Sequence, residues 1–346
     1  MKTSSKTASL TVTAITALAM VAAVSCEDII DYKGPETEPK AVIYALLQPD
    51  NYISVSVSES HSVFQVPWKP RQITDAVVRV YRDGELLETL PYFVTETEDE
   101  NAPVSPYSLY ASKTNFPEYG HTYRIEVLIP GYPVAAGETS LPAPVPVEIA
   151  DTSFRDNKYG NRELNMNLRF SDPAGEENYY RFTAPSKCGF YTGDPNLPYD
   201  PEKTVYVRIQ DMNYGALSDP IIAPVHDDDF FDMYLENDYF IFSDELISGK
   251  EYNMNLTYGD IDPDVEYYEF LHAFFRISSL TKDLYLYLQS YSAYRQTEDD
   301  PLSEPVQVYS NVSNGLGIVG AMSVSQDSII IGEYPVEGVR YEIHLY

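Results

Sequence analysis

Hydrophobic and polar positions alternate with a period of two over much of the chain. In YISVSVSES, Ile53, Val55 and Val57 alternate with Ser54, Ser56 and Ser58, which predicts a strand with one face in a core. AVIYALLQ just before it is a nearly continuous apolar run, as a buried strand requires, and Pro49, Asp50 and Asn51 turn the chain between the two. DAVVRVYRDGELLETL predicts a hairpin in which Val78 and Val80 lead to an Asp83-Gly84 turn and then to Leu86 and Leu90. YSLYAS, HTYRIEVLIPG and YPVAAGETSL predict three more strands, with Ile125, Val127 and Ile129 as the inner face of the second, between Gly120 and Gly131. About seven strands in roughly 100 residues, with turns at short intervals, predict an immunoglobulin-like or fibronectin-III-like β-sandwich over residues 40–140.

LPAPVPV, residues 141–147, sets Pro142, Pro144 and Pro146 among small apolar residues and predicts an extended linker, because proline cannot donate to a sheet ladder. Residues 148–346 then predict a larger β-rich domain. VEIADTSF, ELNMNLRFSD, NYYRFTAP, TVYVRIQD and EYNMNLTYG read as strands, whereas VEYYEFLHAFFRISS fits both a long strand and a helix. In SLTKDLYLYLQSYSAYRQ the repeat changes: Leu280, Leu284, Tyr287, Leu288 and Tyr291 recur at three and four. That spacing predicts one helix near 280–295, capped by Ser279 or Thr281, with its tyrosine stripe packed in a core. The chain closes on strands around a Gly-rich turn at Asn314, Gly315, Gly317 and Gly320. The fold class expected is mostly β, with a single helix.

The first 25 residues break this pattern. Lys2 and Lys6 precede an uncharged stretch that ends at Ser25, directly before Cys26. A basic start, an apolar middle and small residues at the end make a secretory signal, and the cysteine after Ser25 narrows it to a bacterial lipoprotein signal. In that reading the leader is removed and Cys26 carries the acyl chains, such as palmitate, each buried CH₂ contributing about 0.8 kcal/mol to membrane attachment. Thr11, Thr13 and Thr16 inside the stretch, and an acidic run after it, count against an uncleaved transmembrane helix. Glu27, Asp28 and Asp31 resemble the surface-export signal of Bacteroidota lipoproteins, and they also fit a plain solvated tether over residues 26–39. The expected location is the outer membrane, lipid-anchored and facing the medium.

Charge and cysteine count narrow the partners. The 346-residue chain carries a formal charge of −30. Such a field repels nucleic acid and anionic lipid and keeps a tethered domain soluble; favouring cationic ligands is a second reading, beside an acidic surface that serves solubility alone. With Cys26 acylated, Cys188 is the one remaining cysteine, so no intramolecular disulfide and no thiolate zinc site can form. Cys188 itself reads as a small buried hydrophobe.

Few motifs carry chemistry. The five histidines form no HExxH pair, and no G-x-S-x-G or Walker loop occurs; NGLGIVG lacks the strand-to-helix context of a dinucleotide site. No cofactor is expected. Asp260, Asp262, Asp264 and Glu266 alternate as in calcium loops, but Val265 and Leu271 stand where an EF-hand needs Gly and Glu. The densest acidic cluster, Asp227, Asp228, Asp229 and Asp232 beside His226, is a candidate for weak calcium binding and equally an acidic solvated loop. Phe64 and Trp68, in a loop of the sandwich, and Tyr191 and Tyr199, in a Gly- and Pro-rich insert, are candidate contacts for a partner or ligand, with burial in the loops as the alternative.

The segments CEDIIDYKGPETEPKAVIYALL, ETSLPAPVPVEIADTSF, DDDFFD, TKDLYLYLQSY and EPVQVYSNVSNGLGIVGAMSV together resemble the Bacteroidota lipoprotein family called domain of unknown function 4249. The resemblance covers nearly the whole chain after the leader, and NVSNGLGIVGA is its most specific part. It implies an outer-membrane lipoprotein with a β-sandwich front half, of a kind often found beside TonB-dependent, SusC-like transporters, and it supplies neither ligand nor reaction. The function expected is a non-enzymatic accessory or binding component of such an uptake system. A structural or adhesion lipoprotein that binds another surface component is the alternative, and a hydrolase without a recognisable motif a minor one.

Overall fold

The alternation in the first third of the chain becomes nine strands: β1 (Ala41–Leu47), β2 (Ser54–Glu59), β3 (Arg71–Gln72), β4 (Val77–Arg82), β5 (Glu85–Leu90), β6 (Tyr92–Phe93), β7 (Leu109–Ala111), β8 (Thr122–Leu128) and β9 (Ala135–Ser140). The computed structural model describes residues 38–61, 71–93, 109–156, 158, 160, 162–190, 204–211, 219–222, 239–258, 270–297, 306–332 and 340–345. In β1 the odd positions Ala41, Ile43, Ala45 and Leu47 are buried; in β2 Val55 and Val57 are. The Asp83-Gly84 turn forms as the sequence predicts, with φ of 52° and 85°, the left-handed pair that a two-residue hairpin needs. Strands β5-β4-β8-β9 make one four-stranded sheet. Its inward residues Val78, Val80, Tyr123, Ile125 and Val127 pack against those of β1, β2 and β7, which gives the sandwich-like arrangement.

Residues 141–146 carry no strand, and Leu141 and Val145 are buried among their neighbours. Beyond them lie β10 (Val147–Asp156), β11 (Arg162–Ser171), β12 (Tyr179–Thr183), β13 (Pro185–Phe190), β14 (Thr204–Asp211), β15 (Ile241–Ser243), β16 (Glu251–Tyr258) and β17 (Phe270–Leu280). Helix α1 (Lys282–Thr297), β18 (Gly315–Gly332) and β19 (Arg340–Leu345) are the last of the described elements. The segment that fitted both strand and helix is thus a strand: β17 is held on one side by β12 and β13 and on the other by β18. Strands β10-β11-β16 form a three-stranded sheet whose Leu164, Met166, Leu168, Met254 and Leu256 bury against Phe182, Phe275 and Ile277 of the large sheet.

Among the described residues the large sheet has twelve strands, in the path β19-β14-β13-β17-β18-β1-β2-β7-β6, with β3, β12 and β15 paired beside it. Its hinge is β18, which pairs antiparallel with β17 and parallel with β1, from Ala41 opposite Gly315 to Leu47 opposite Ala321. One face of β18 serves both cores: Val319 and Ala321 pack with the sandwich residues, and Ile329 further along packs with the C-terminal cluster. All the described strands and the helix belong to one compact unit, Pro39–Ser60 with Lys69–Tyr346.

One sequence reading changes here. The Gly-rich stretch is not a turn with strands on both sides. Only Asn314, at φ 55°, turns the chain, and Gly315, Gly317 and Gly320 stand inside an 18-residue strand. The physical reason is close approach: Gly317 has φ 99°, and a side chain there would run into the backbone of Ile43. The helix begins after Thr281, whose carbonyl accepts from the Tyr285 amide at 3.0 Å while its hydroxyl accepts from the Ala321 amide at 3.3 Å. Asp283 in the first turn and Arg295 in the last complement the helix dipole. Leu284 and Leu288 seat α1 on Leu280 and Ile318, on the face of the large sheet away from both cores.

Candidate functional site

The residues singled out in the sequence fall almost entirely outside the described ones. Cys26, Glu27, Asp28 and Asp31 do, as do Phe64, Trp68, Tyr191 and Tyr199, and so do Asp227, Asp228, Asp229 and Asp232. The alternating acids from Asp260 to Glu266 lie outside as well. Cys188 is in β13, opposite Arg208 and Leu271. Among the described residues no group of three His, Cys, Asp or Glu side chains could hold a metal ion, and no helix is long and apolar enough to cross a membrane.

What the structure does assemble is a cleft of about 500 Å³ at the start of α1. Three distant segments meet there. The first is the chain leaving β9, from Thr139 to Val145, held extended by Pro142 and Pro144. The second is the turn before β12, residues 173–178, where Asn178 donates to the carbonyls of Pro173 and Glu176 at 3.1 and 3.2 Å and so closes the turn on itself. The third is the junction of β17 with α1, from Ser279 to Asp283.

Around the rim the charges are strongly biased. Lys282 donates to the Glu177 carboxylate at 2.8 Å, and the Tyr179 hydroxyl donates to the same oxygen at 2.9 Å. The Lys282 hydrogen bond is the main reason Glu177 titrates below its ordinary value, and reciprocally Glu177 holds Lys282 above its own. Tyr179 is pushed up, first by burial and then by its bond to Glu177. On the other side Asp283 accepts from the Tyr309 hydroxyl at 2.5 Å and from the Asn311 amide at 3.2 Å. That carboxylate pushes the Tyr309 phenol up to about 12. Asn311 also accepts from the Val319 amide at 2.9 Å and donates to the Val319 carbonyl at 2.8 Å, so the rim is tied to the long strand.

Two features mark the floor. Pro142, Ala143, Val145, Pro173 and Ala174 supply apolar wall. Ser279, only 5% exposed, is among the lining residues, and its buried hydroxyl has no hydrogen-bond partner among the described residues. The arrangement can hold a small molecule by ion pairing at the rim, hydrogen bonding at the floor and apolar contact between them. Sequence reasoning reached Ser279 only as a helix cap. The segments that make the cleft are too far apart in the chain for spacing to have joined them.

A second surface runs along α1. Tyr287, Tyr291 and Tyr294 recur at four and three, their rings 5.9 and 6.3 Å apart and nearly parallel, and Tyr44 of β1 extends the row at 6.2 Å from Tyr287. The stripe that the sequence places in a core is at its margin instead: Leu284, Leu288 and Ser292 are buried, Tyr287 and Tyr291 half-buried, and Tyr294 exposed. Burial pushes the Tyr287 phenol up to about 12.

The model of the family described as domain of unknown function (DUF4249) matches residues 27–328. No curated protein matches the chain.

Proposed function

The chain belongs to the DUF4249 family, and from that membership we propose that it is a lipoprotein tethered at the surface of an outer membrane, a non-enzymatic binding component of a TonB-dependent, SusC-like uptake system. The observation that carries this reading is the leader ending at Cys26 immediately before Glu27, Asp28 and Asp31. The resemblance of the chain to Bacteroidota lipoproteins supports the same location and supplies the transporter as partner.

The folded part suits such a role. A rigid β scaffold carries a cleft of small-molecule size, and a charge of −30 keeps a tethered body in solution and away from anionic lipid. The decisive experiment has two readouts on the native protein extracted from membranes in detergent. Mass spectrometry of the N-terminal fragment is expected to show a diacylglycerol-modified Cys26, and affinity capture is expected to bring down a TonB-dependent transporter. A free thiol at Cys26 would refute the tether; a modified cysteine with no transporter captured, and nutrient uptake unchanged on deletion, would refute the partnership.

A further inference from the structure

The groups around the cleft at the start of α1 are unequally used. Glu177 is taken by Lys282 and Tyr179, and Asp283 by Tyr309 and Asn311. Glu176 stands exposed at the rim and is in no ion pair among the described residues. Beneath, Ser279 is more than nine-tenths buried, and its hydroxyl is unpartnered among the described residues.

The register gives the direction of that hydroxyl. Ser279 stands opposite Tyr180 of β12 and opposite Ser323 of β18, so the three side chains share one face of the sheet. The Ser323 hydroxyl donates to the Pro142 carbonyl at 2.6 Å, which places the 142–145 segment over that face. This segment walls the cleft, and Ser279 therefore points into its floor. Buried hydroxyls are nearly always hydrogen-bonded, and here a group entering the cleft is what would complete the bond.

We propose that the cleft binds a small molecule with a primary ammonium group and, on the same short skeleton, a hydrogen-bonding oxygen. The ammonium pairs with Glu176 at the rim, the oxygen bonds Ser279 at the floor, and the skeleton lies on Pro142, Ala143, Pro173 and Ala174. Glu177 and Asp283 turn the rim against anionic ligands, since only Lys282 opposes three carboxylates. The N-terminus of a short peptide and an amino sugar share this chemistry. The inference does not depend on how the chain is held at a membrane.

The test is calorimetric titration of the full chain, kept in detergent, with trialanine, glucosamine and the N-acetyl form of each. At least one amine is expected to bind with a Kd in the millimolar range or tighter, with its acetylated counterpart about tenfold weaker or worse. Glu176→Gln is expected to weaken the amine about tenfold without lowering the melting temperature, and Ser279→Ala to weaken it severalfold. Trialanine alone binding assigns a peptide terminus, and glucosamine alone an amino sugar; either supports the proposal. Failure of both amines to bind at about 20 mM, acetylated probes binding as tightly as the amines, or Glu176→Gln without effect on affinity would overturn it.

Discussion

The α-carbon of Gly317 faces the carbonyl oxygen of Ile43 so closely that a Cβ built on it would lie 2.0 Å from that oxygen. Gly317 also has φ 99°, and Ile43 is its register partner across the parallel pairing of β1 with β18. Gly317→Ala is therefore expected to destabilise the fold by about 3 kcal/mol or more, from strain and overlap together. Gly84→Ala is the control. At φ 85° with nothing within 4 Å of its Cβ, it carries the conformational cost alone, about 1 kcal/mol. Urea unfolding of both variants checks this, and equal losses would show that the approach to Ile43 is not what requires glycine.

Ser279 and Ser323 sit opposite each other, both buried, and one is hydrogen-bonded while the other is not. Ser279→Ala removes an unpaired hydroxyl, so without ligand the protein is expected to be unchanged or up to about 2 kcal/mol more stable. Ser323→Ala removes the donor to the Pro142 carbonyl and is expected to cost about 1 kcal/mol. Thermal unfolding should show a lowered midpoint for Ser323→Ala and no lowering for Ser279→Ala, and a loss of stability in Ser279→Ala would contradict its unpaired state.

Asp219, 1% exposed, collects three donors: the Tyr252 hydroxyl at 2.7 Å and the amides of Asn255 and Ile221 at 2.8 and 3.0 Å. It fastens the 219–222 turn to β16. Asp219→Ala orphans all three and is expected to cost about 3 kcal/mol, whereas Tyr252→Phe removes one and is expected to cost about 1 kcal/mol. Burial first, then the bond to Asp219, pushes the Tyr252 phenol well above the ordinary tyrosine range. Denaturant midpoints ranked the other way would show that the turn is held by something else.

Tyr309 and Tyr287 are both pushed up to about 12, the first by Asp283 and the second by burial. The protonated phenol is the form that the fold stabilises. The contribution is therefore complete below the unfolded tyrosine value of about 10 and is lost as pH rises through 12. Stability should fall steeply over that window, with tyrosinate absorbance lagging behind that of the unfolded chain. A denaturation midpoint constant from pH 9 to 12 would count against it. Glu177 works in the opposite sense: held low by Lys282, its contribution is present above the ordinary carboxylate value and fades as pH falls below it.

Much of the architecture could be read from local pattern. The alternation of Val55 and Val57 with serines, the Asp83-Gly84 hairpin and the three-and-four spacing from Leu284 to Tyr291 each depend on residues close in the chain, and each formed as expected. What could not be read was set by distant partners. Phe270–Leu280 satisfies both helical and strand spacing, and only its neighbours β12, β13 and β18 make it a strand. The glycines at 315, 317 and 320 look like a turn until β1 lies against them. The cleft is illegible for the same reason, since Pro142, Glu176 and Ser279 come together only once β12 and β18 have paired with β17.

The pairing of Ala41 with Gly315 has a kinetic consequence. β1 is among the first strands to leave the ribosome, and its partner β18 is among the last. Until then one edge of β1 presents bare amides and carbonyls, the template on which a second copy can add. Closing so long a loop makes for slow folding, and the newly made chain gains from a period of being kept apart from its neighbours. Any version of the protein that stops short of residue 315 would carry that open edge permanently, and should be recovered as aggregate.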